Sequence, residues 1–258
     1  YAGITYILLM TVFTAINLPY SSLGAVMPSD SYERAGLNSY RFIFAFIGQF
    51  IVSGTALSLA LYFGKGDNAK GYQYTLILFS IISFILFIIT FKTTKERVRP
   101  PKEQKESIKE DFKNLFKNKP WVILFFVGII SFIMFAIQNL SIAYYFKYYI
   151  GNAENVQLFN VVGTIALIVA IPFSKPLAKR FGKRNVFLAS SLLSGFFFIC
   201  LYFPGTENIT MIYTFNILAK MAYAPAVPLL WTMLADTADY SEWKTGRRST
   251  GLVFSAAT

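Results

Sequence analysis

Leu76–Phe91 reads LILFSIISFILFIITF. It contains no charge, and its apolar residues run on without the alternation that a half-buried strand requires. It lies inside Gly71–Phe91, which has no Asp, Glu, Lys or Arg. Roughly 20 mostly apolar residues cross a bilayer as a helix, whereas a membrane β-barrel needs alternating strands of about 10. The stretch therefore predicts a membrane-spanning helix, whose backbone polar groups are all satisfied internally.

Working outward, the same reading recurs. Tyr1–Ser29, Phe42–Gly64, Pro120–Phe146, Asn155–Ser174 and Asn185–Thr206 are also free of charge, and Asn208–Ala235 is broken only by Lys220. Ser249–Thr258 begins another such stretch. Seven spans and the start of an eighth are expected in an all-α membrane protein. The composition agrees: of 258 residues, 55% are hydrophobic, 18% aromatic and 14% charged, against roughly 25% charged in soluble domains. Both ends fall in apolar segments and residue 1 is Tyr, so an internal piece of a longer protein is expected. With no His and one Cys, metal clusters, His bases and disulfide frameworks are excluded. There is no phosphate-cradling GxxxxGK[ST] and no pair of in-membrane carboxylates. Neither an enzyme nor a cofactor is expected.

The charges report topology. One set of connections holds Lys65, Asp67, Lys70, Lys147, Glu154 and Glu207, three of each sign. The other holds 20 basic and 10 acidic residues, from Arg34 and Arg41 through the Lys92–Lys119 connection to Lys175–Arg184 and Lys244–Arg248. The positive-inside rule puts this second set in the cytoplasm. The net charge of +11 is thus explained without nucleic acid, for which no basic groove is present. The domains expected are 1–91 with three spans, a cytoplasmic linker 92–119, and 120–258 with four spans and the start of a fifth. In the linker, Pro100–Pro101 breaks the chain. Ile108, Phe112, Leu115 and Phe116 then fall at i, i+4, i+7 and i+8, the spacing of an amphipathic helix on the inner surface. It reads as a helical linker between two bundles or as a regulatory site. A midpoint linker suits a transporter of two repeated bundles.

An ionisable residue in a bilayer is costly and usually functional. Lys220 is the clear case, either binding a polar or anionic group or satisfied by carbonyls. Just beyond it, Pro225 and Pro228 break the helix. Asn17-Leu18-Pro19-Tyr20-Ser21-Ser22 is a polar patch in the first span, with Asn17 and Ser21 one turn apart; it would line a substrate path or glue helices together. Gln138, Asn139, Tyr144 and Tyr145 allow the same two readings. Gly48, Gly54 and Ser58 suggest close helix packing. Cys200 and Phe196–Phe198 read as lipid-depth filler.

Leu230–Ser255 reads LWTMLADTADYSEWKTGRRSTGLVFS. Its Ala-Asp-x-x-Asp-Tyr-x-Glu-aromatic-Lys run, followed by basic residues and a new helix, resembles the cytoplasmic signature of the glycoside–pentoside–hexuronide:cation symporters of the major facilitator superfamily. Asn17-Leu18-Pro19-Tyr20 and Asn38-Ser39-Tyr40-Arg41-Phe42 resemble that family's fourth helix, inner loop and start of the fifth. The resemblance implies a major-facilitator helical bundle, of which this chain covers helices 4 to 11 of twelve, and Na⁺- or H⁺-coupled sugar transport by alternating access. It places Arg41 near the sugar. Asn17 stands where melibiose permeases have an Asp serving sugar and cation, and Ser21 replaces a Trp. Asp236, Asp239, Glu242, Lys244, Arg247 and Arg248 match charges that look like gating or bundle-to-bundle contacts. Ser174–Asn185 is similar to the short basic loop of major facilitators, with Arg180, Gly182, Lys183 and Arg184 fitting, Lys175 in place of Gly and Lys179 in place of an acid; positive-inside charge explains it equally.

The function expected is cation-coupled symport of a glycoside, pentoside or hexuronide across a bacterial inner membrane, in a multi-pass protein working as a monomer. Substrate-lining candidates are Asn17, Tyr20, Ser21, Arg41, Asn139, Lys220 and Trp231, and the coupling-ion site is expected outside this chain. Lys220 and Arg41 would favour an acidic sugar. The alternative is a lysolipid carrier on the same fold.

Overall fold

The computed structural model describes residues 2–28, 30–98, 108–152, 155–246, 248 and 250–255. Among them the regular elements are helices, with no strand. The chain divides into two compact units, Tyr1–Tyr40 with Arg97–Thr258, and Arg41–Glu96. Pro100–Pro101, Glu154 and Arg247 lie outside the described residues.

The first helix, α1 (Ala2–Val26), carries Pro19 internally. The second, α2 (Ser31–Gly64), has 34 residues, about 51 Å at 1.5 Å per residue. It begins well before the expected span at Phe42: the segment Ser31–Arg41, expected as an inner loop, is helical. The reason is local. Asp30 takes the Tyr32 N–H at 2.6 Å, satisfying one of the open donors of a helix start. Arg34 and Asn38 thus stand on a helix rather than on a loop.

Within the second unit, α2 turns into α3 (Asn68–Thr93) through three residues. Lys65 and Gly66 have positive φ (43° and 102°), and Asp67 caps α3 by accepting the Lys70 N–H at 3.1 Å. So tight a turn forces the helices together beside it. A Cβ on Gly71 would sit 2.0 Å from the Ala60 carbonyl oxygen and 3.1 Å from the Gly64 Cα. Close packing is expected at Gly48 and Gly54, but a Cβ at either meets nothing within 4 Å among the described residues. Proximity to the turn decides where these helices touch.

In the first unit, α4 (Ile108–Lys117) precedes α5 (Lys119–Tyr144), which runs into a π-helical turn at Tyr145–Ile150. Then come α6 (Asn155–Ala170), α7 (Ser174–Phe181) and α8 (Lys183–Cys200). They are followed by α9 (Ile209–Tyr223), α10 (Ala226–Thr245) and α11 (Thr250–Ser255). Gly182, at φ 81°, makes the α7–α8 corner. The chain breaks between α9 and α10 at Pro225, as its missing N–H predicts.

Among the described residues, six stretches are long and apolar enough to cross a membrane: Gly3–Val26, Ser31–Gly64, Asn68–Thr93, Lys119–Ile150, Asn155–Phe181 and Ile209–Thr245. The seventh expected span is shorter. Helix α8 has 18 residues, about 27 Å, because its first turn is Lys183-Arg184-Asn185 and the chain leaves the helix at Leu201.

The first unit holds together on apolar contacts among α4, α5, α10 and α11, where Leu115, Trp121, Leu234, Ala238, Val253 and Phe254 are buried with Ala25 of α1. A second group, Ala35, Ala178, Val186 and Leu229, joins α2, α7, α8 and α10. The second group sets the start of α2 against α10, and the charges lie further along α10.

Candidate functional site: a charge cluster joining the ends of α2, α8 and α10

Asp236, Asp239 and Glu242 recur at i, i+3 and i+6, so all three project from one face of α10. Three cations meet them from other elements. Arg34 of α2, 2% exposed, bonds Asp239 and lies 3.4 Å from Asp236 Oδ1. Its Nε donates to the Pro28 carbonyl at 3.1 Å. Lys183, at the start of α8, pairs with Asp236 and donates to the Ser31 hydroxyl, which itself donates to Asp236. Arg248, beyond α10, reaches Asp239 at 2.7 Å and Glu242 at 2.6 Å with a side chain 5% exposed. Three positive and three negative groups thus form one neutral network linking α2, α8 and α10. Arg34 and Arg248 are buried and paired, and opposite charges desolvated together are the condition under which such groups survive in an interior.

Around this network are further cross-links. Lys175 of α7 holds Glu33 of α2 at 2.7 Å, in a more exposed pair. One turn deeper, Asn38 Nδ2 donates to Thr232 Oγ1 at 3.0 Å, and both side chains are buried. So the α2–α10 contact is charged at its outer rung and neutral but polar at the next. Asp30, at the edge, has its carboxyl held below the usual range mainly by the Tyr32 N–H; burial opposes this, while the Glu33 N–H, Lys179 and Lys183 assist.

Of the residues expected from sequence, the cluster gathers Asp236, Asp239, Glu242 and Arg248. Lys244 stands apart, its ammonium over the Tyr240 ring at 5.8 Å. Arg247 lies outside the described residues. Arg34, Ser31 and Lys183 complete the network; from sequence Arg34 reads only as a topology charge, Lys183 as a residue of the short basic loop, and Ser31 carries no reading. The available signal was the row of three acids on one face of α10, which calls for cations from other elements. Lys175 and Lys183, which positive-inside charge alone would explain, both pair with carboxylates of other helices.

The substrate candidates fall into separate groups. Asn17 and Ser21 come together on α1, with Ser21 Oγ donating to Asn17 Oδ1 at 3.5 Å and Ser21 1% exposed. Tyr20 beside them is 37% exposed. Trp231 stacks on Phe254 of α11, with ring centres 6.3 Å apart and planes 7° from parallel. Asn139 donates to the Phe135 carbonyl of its own helix at 2.8 Å. The Arg41 guanidinium lies 5.9 Å from the Phe42 ring centre.

Lys220 sits one turn from Asn216 on α9. Asn216 is fully buried and donates to the Phe159 carbonyl of α6 at 2.8 Å. Gly163, one turn along α6, leaves the space: a Cβ there would come 2.8 Å from Asn216 Nδ2 and 3.2 Å from Lys220 Cγ. The ammonium lies over the Phe198 ring of α8 at 5.7 Å. No carboxylate faces it among the described residues. Phe198 therefore serves a charge rather than merely filling space.

The profile of the MFS/sugar transport protein family matches residues 1–258. The chain belongs to that family. Individual relatives agree with this assignment. The putative glycoside/cation symporter YagG of Escherichia coli (strain K12) is 33% identical over 99% of this chain and 55% of its own length. The isoprimeverose transporter of Lactiplantibacillus pentosus is 32% identical, over 99% and 54%. The inner membrane symporter YicJ of Escherichia coli (strain K12) is 29% identical, over 98% and 55%. The chain spans about half the length of these relatives. As a member of the MFS/sugar transport family with six spanning stretches, it is a multi-pass inner-membrane protein.

Proposed function

We propose that the whole protein is a symporter that carries a glycoside, pentoside or hexuronide together with Na⁺ or H⁺ by alternating access. In this reading the six-charge cluster latches its cytoplasmic side. The observation that carries the proposal is the buried Arg34 bonded across to Asp239, within a network that ties α2 to α8 and α10. A latch must hold in one state and open in the other. Charge pairs suit that duty, because each partner regains water when the pair separates and so repays much of the lost attraction. Apolar packing has no such compensation.

In the same reading, Asn17, Tyr20, Ser21, Arg41, Asn139, Lys220 and Trp231 line the sugar path. Amide and hydroxyl groups would bind sugar hydroxyls, and Trp231 would offer a ring face. Lys220 and Arg41 would favour an anionic sugar. The spans of the described residues carry no carboxylate at mid-membrane depth, so we assign the coupling-ion acids to parts of the whole protein outside this chain. The protein needs no cofactor, performs no chemistry on its substrate, binds no nucleic acid and works as a monomer in the bilayer.

The test is the melting temperature of the full-length protein in detergent against neutral glycosides, pentoses, uronates and lysolipids, with and without Na⁺. A ligand at a hundredfold excess over Kd adds about 2.7 kcal/mol of apparent stability. A rise with a sugar supports the proposal, and a larger rise with the uronate than with its neutral parent supports the role of Lys220 and Arg41. A rise with lysolipid alone overturns the sugar assignment.

A further inference from the structure

Helix α4 belongs to neither the charge cluster nor the sugar path. Its rotation is fixed from one side. Leu115 is 4% exposed among α5, α10 and α11. Asn118 then ties the α4–α5 corner down: its Oδ1 accepts the Trp121 N–H at 3.2 Å and its Nδ2 donates to the Thr237 carbonyl at 2.8 Å. Thr237 is the neighbour of Asp236, so this corner stands at the depth where the cytoplasmic charges begin. Immediately afterwards α5 enters its spanning stretch.

With Leu115 facing the protein, the rest of the helix can be placed at about 100° per residue. Phe112 and Phe116 follow on one side, Lys113 and Lys117 come next, and Asp111 returns toward the protein on the other side. The two phenylalanines do not turn inward. They are 51% and 58% exposed and pack on each other with ring centres 5.2 Å apart. Phe116 also meets Trp121 edge-on at 5.8 Å, which fixes the pair relative to α5. Asp111 and Glu110 have interactions of their own.

We propose that this edge of α4, with Phe112 and Phe116 inserted and Lys113 and Lys117 beside them, docks on an anionic lipid surface, the cytoplasmic leaflet around α5. Three observations select that occupant. The aromatic pair is bordered by lysines, the order in which apolar tails and anionic headgroups meet a helix lying in an interface. The helix is joined by one residue, Asn118, to a span that must pass through the same leaflet. The segment Ile108–Lys119 carries four lysines against two acids, which complements anionic headgroups. Because Asn118 also holds Thr237, lipid bound on α4 bears on the end of α10 that carries the cluster.

The experiment uses the full-length protein in nanodiscs of phosphatidylglycerol or of phosphatidylcholine, with a spin label on Phe116→Cys or, separately, Phe112→Cys, and other cysteines replaced. Collision with oxygen reports lipid and collision with a nickel chelate reports water. In phosphatidylglycerol both labels are expected to favour oxygen. Lys113→Gln with Lys117→Gln, at about fivefold lost partition per lysine, should move both labels toward the chelate. Phosphatidylcholine should do the same to the parent protein. Equal chelate access in both lipids would overturn the proposal, showing a solvated helix. Protection from both reagents would overturn it too, showing that protein covers the edge.

Discussion

Helices α3 and α10 are both long enough to cross a bilayer, yet they are built on opposite plans. Among its described neighbours α3 buries only Gly71 and Thr75, and no charge interrupts Leu76–Phe91. Helix α10 buries nine residues, among them Thr232, Thr237 and Ser241, and three acids line its C-terminal half. The bilayer requires apolar surface of a span and nothing more specific. Where a helix gives up that surface for threonines and carboxylates, it does so because other helices supply the partners. Apolar runs locate the membrane, and their interruptions locate the machinery.

The comparison breaks most visibly at Gly71. Gly71→Leu would drive a side chain into the Ala60 carbonyl, and overpacking against backbone is expected to cost more than about 3 kcal/mol. Little folded protein should remain, read as the monodisperse fraction on size exclusion. Gly48→Ala, in open space, should be near neutral in the same assay. On the α10 side, Arg34→Ala is expected to cost about 2 kcal/mol, measured by thermal unfolding in detergent. This is below the 3–5 kcal/mol of a fully buried pair, because Asp236 and Asp239 keep about a third of their surface in water and retain Lys183 and Arg248. Lys220→Met should leave insertion and folding intact while uptake falls at least tenfold; normal uptake would return Lys220 to a structural role. Lys175→Gln removes an exposed pair worth about 0–1 kcal/mol and should barely move the melting temperature.

The smallest effect concerns pH. Asp30's carboxyl is lowered in the folded protein, so its contribution is present above the unfolded value of about 4 and is lost as pH falls through the folded one. Asp30→Asn should therefore lower the melting temperature slightly at neutrality and flatten its pH profile only below about pH 4.

Much of the fold was legible because bilayer physics is written locally. Leu76–Phe91 needs no partner to declare itself a span, and Pro225 needs none to end a helix. The early start of α2 was hidden, since Ser31–Arg41 is polar enough to pass for a loop and becomes helical through its Asp30 cap and its contacts with α7, α8 and α10. At the cluster, the acids of α10 were visible as a row. Their partners Arg34 and Lys183 lie about 200 and 50 residues away in sequence, and pairing at such distances leaves no local trace. The Gly71 contact was missed for the opposite reason: spacing suggested Gly48 and Gly54, but the three-residue turn decided.

If the cluster latches the cytoplasmic side, breaking it must open a path to Ser39. Ser39 is 4% exposed, one turn or so deeper than Arg34 on α2. The direct measurement is the rate at which a membrane-impermeant maleimide labels Ser39→Cys in inside-out vesicles, with other cysteines replaced, with and without Arg34→Gln. Slow labelling is expected with Arg34 present and a severalfold increase without it. Equal rates in the two proteins would contradict the latch.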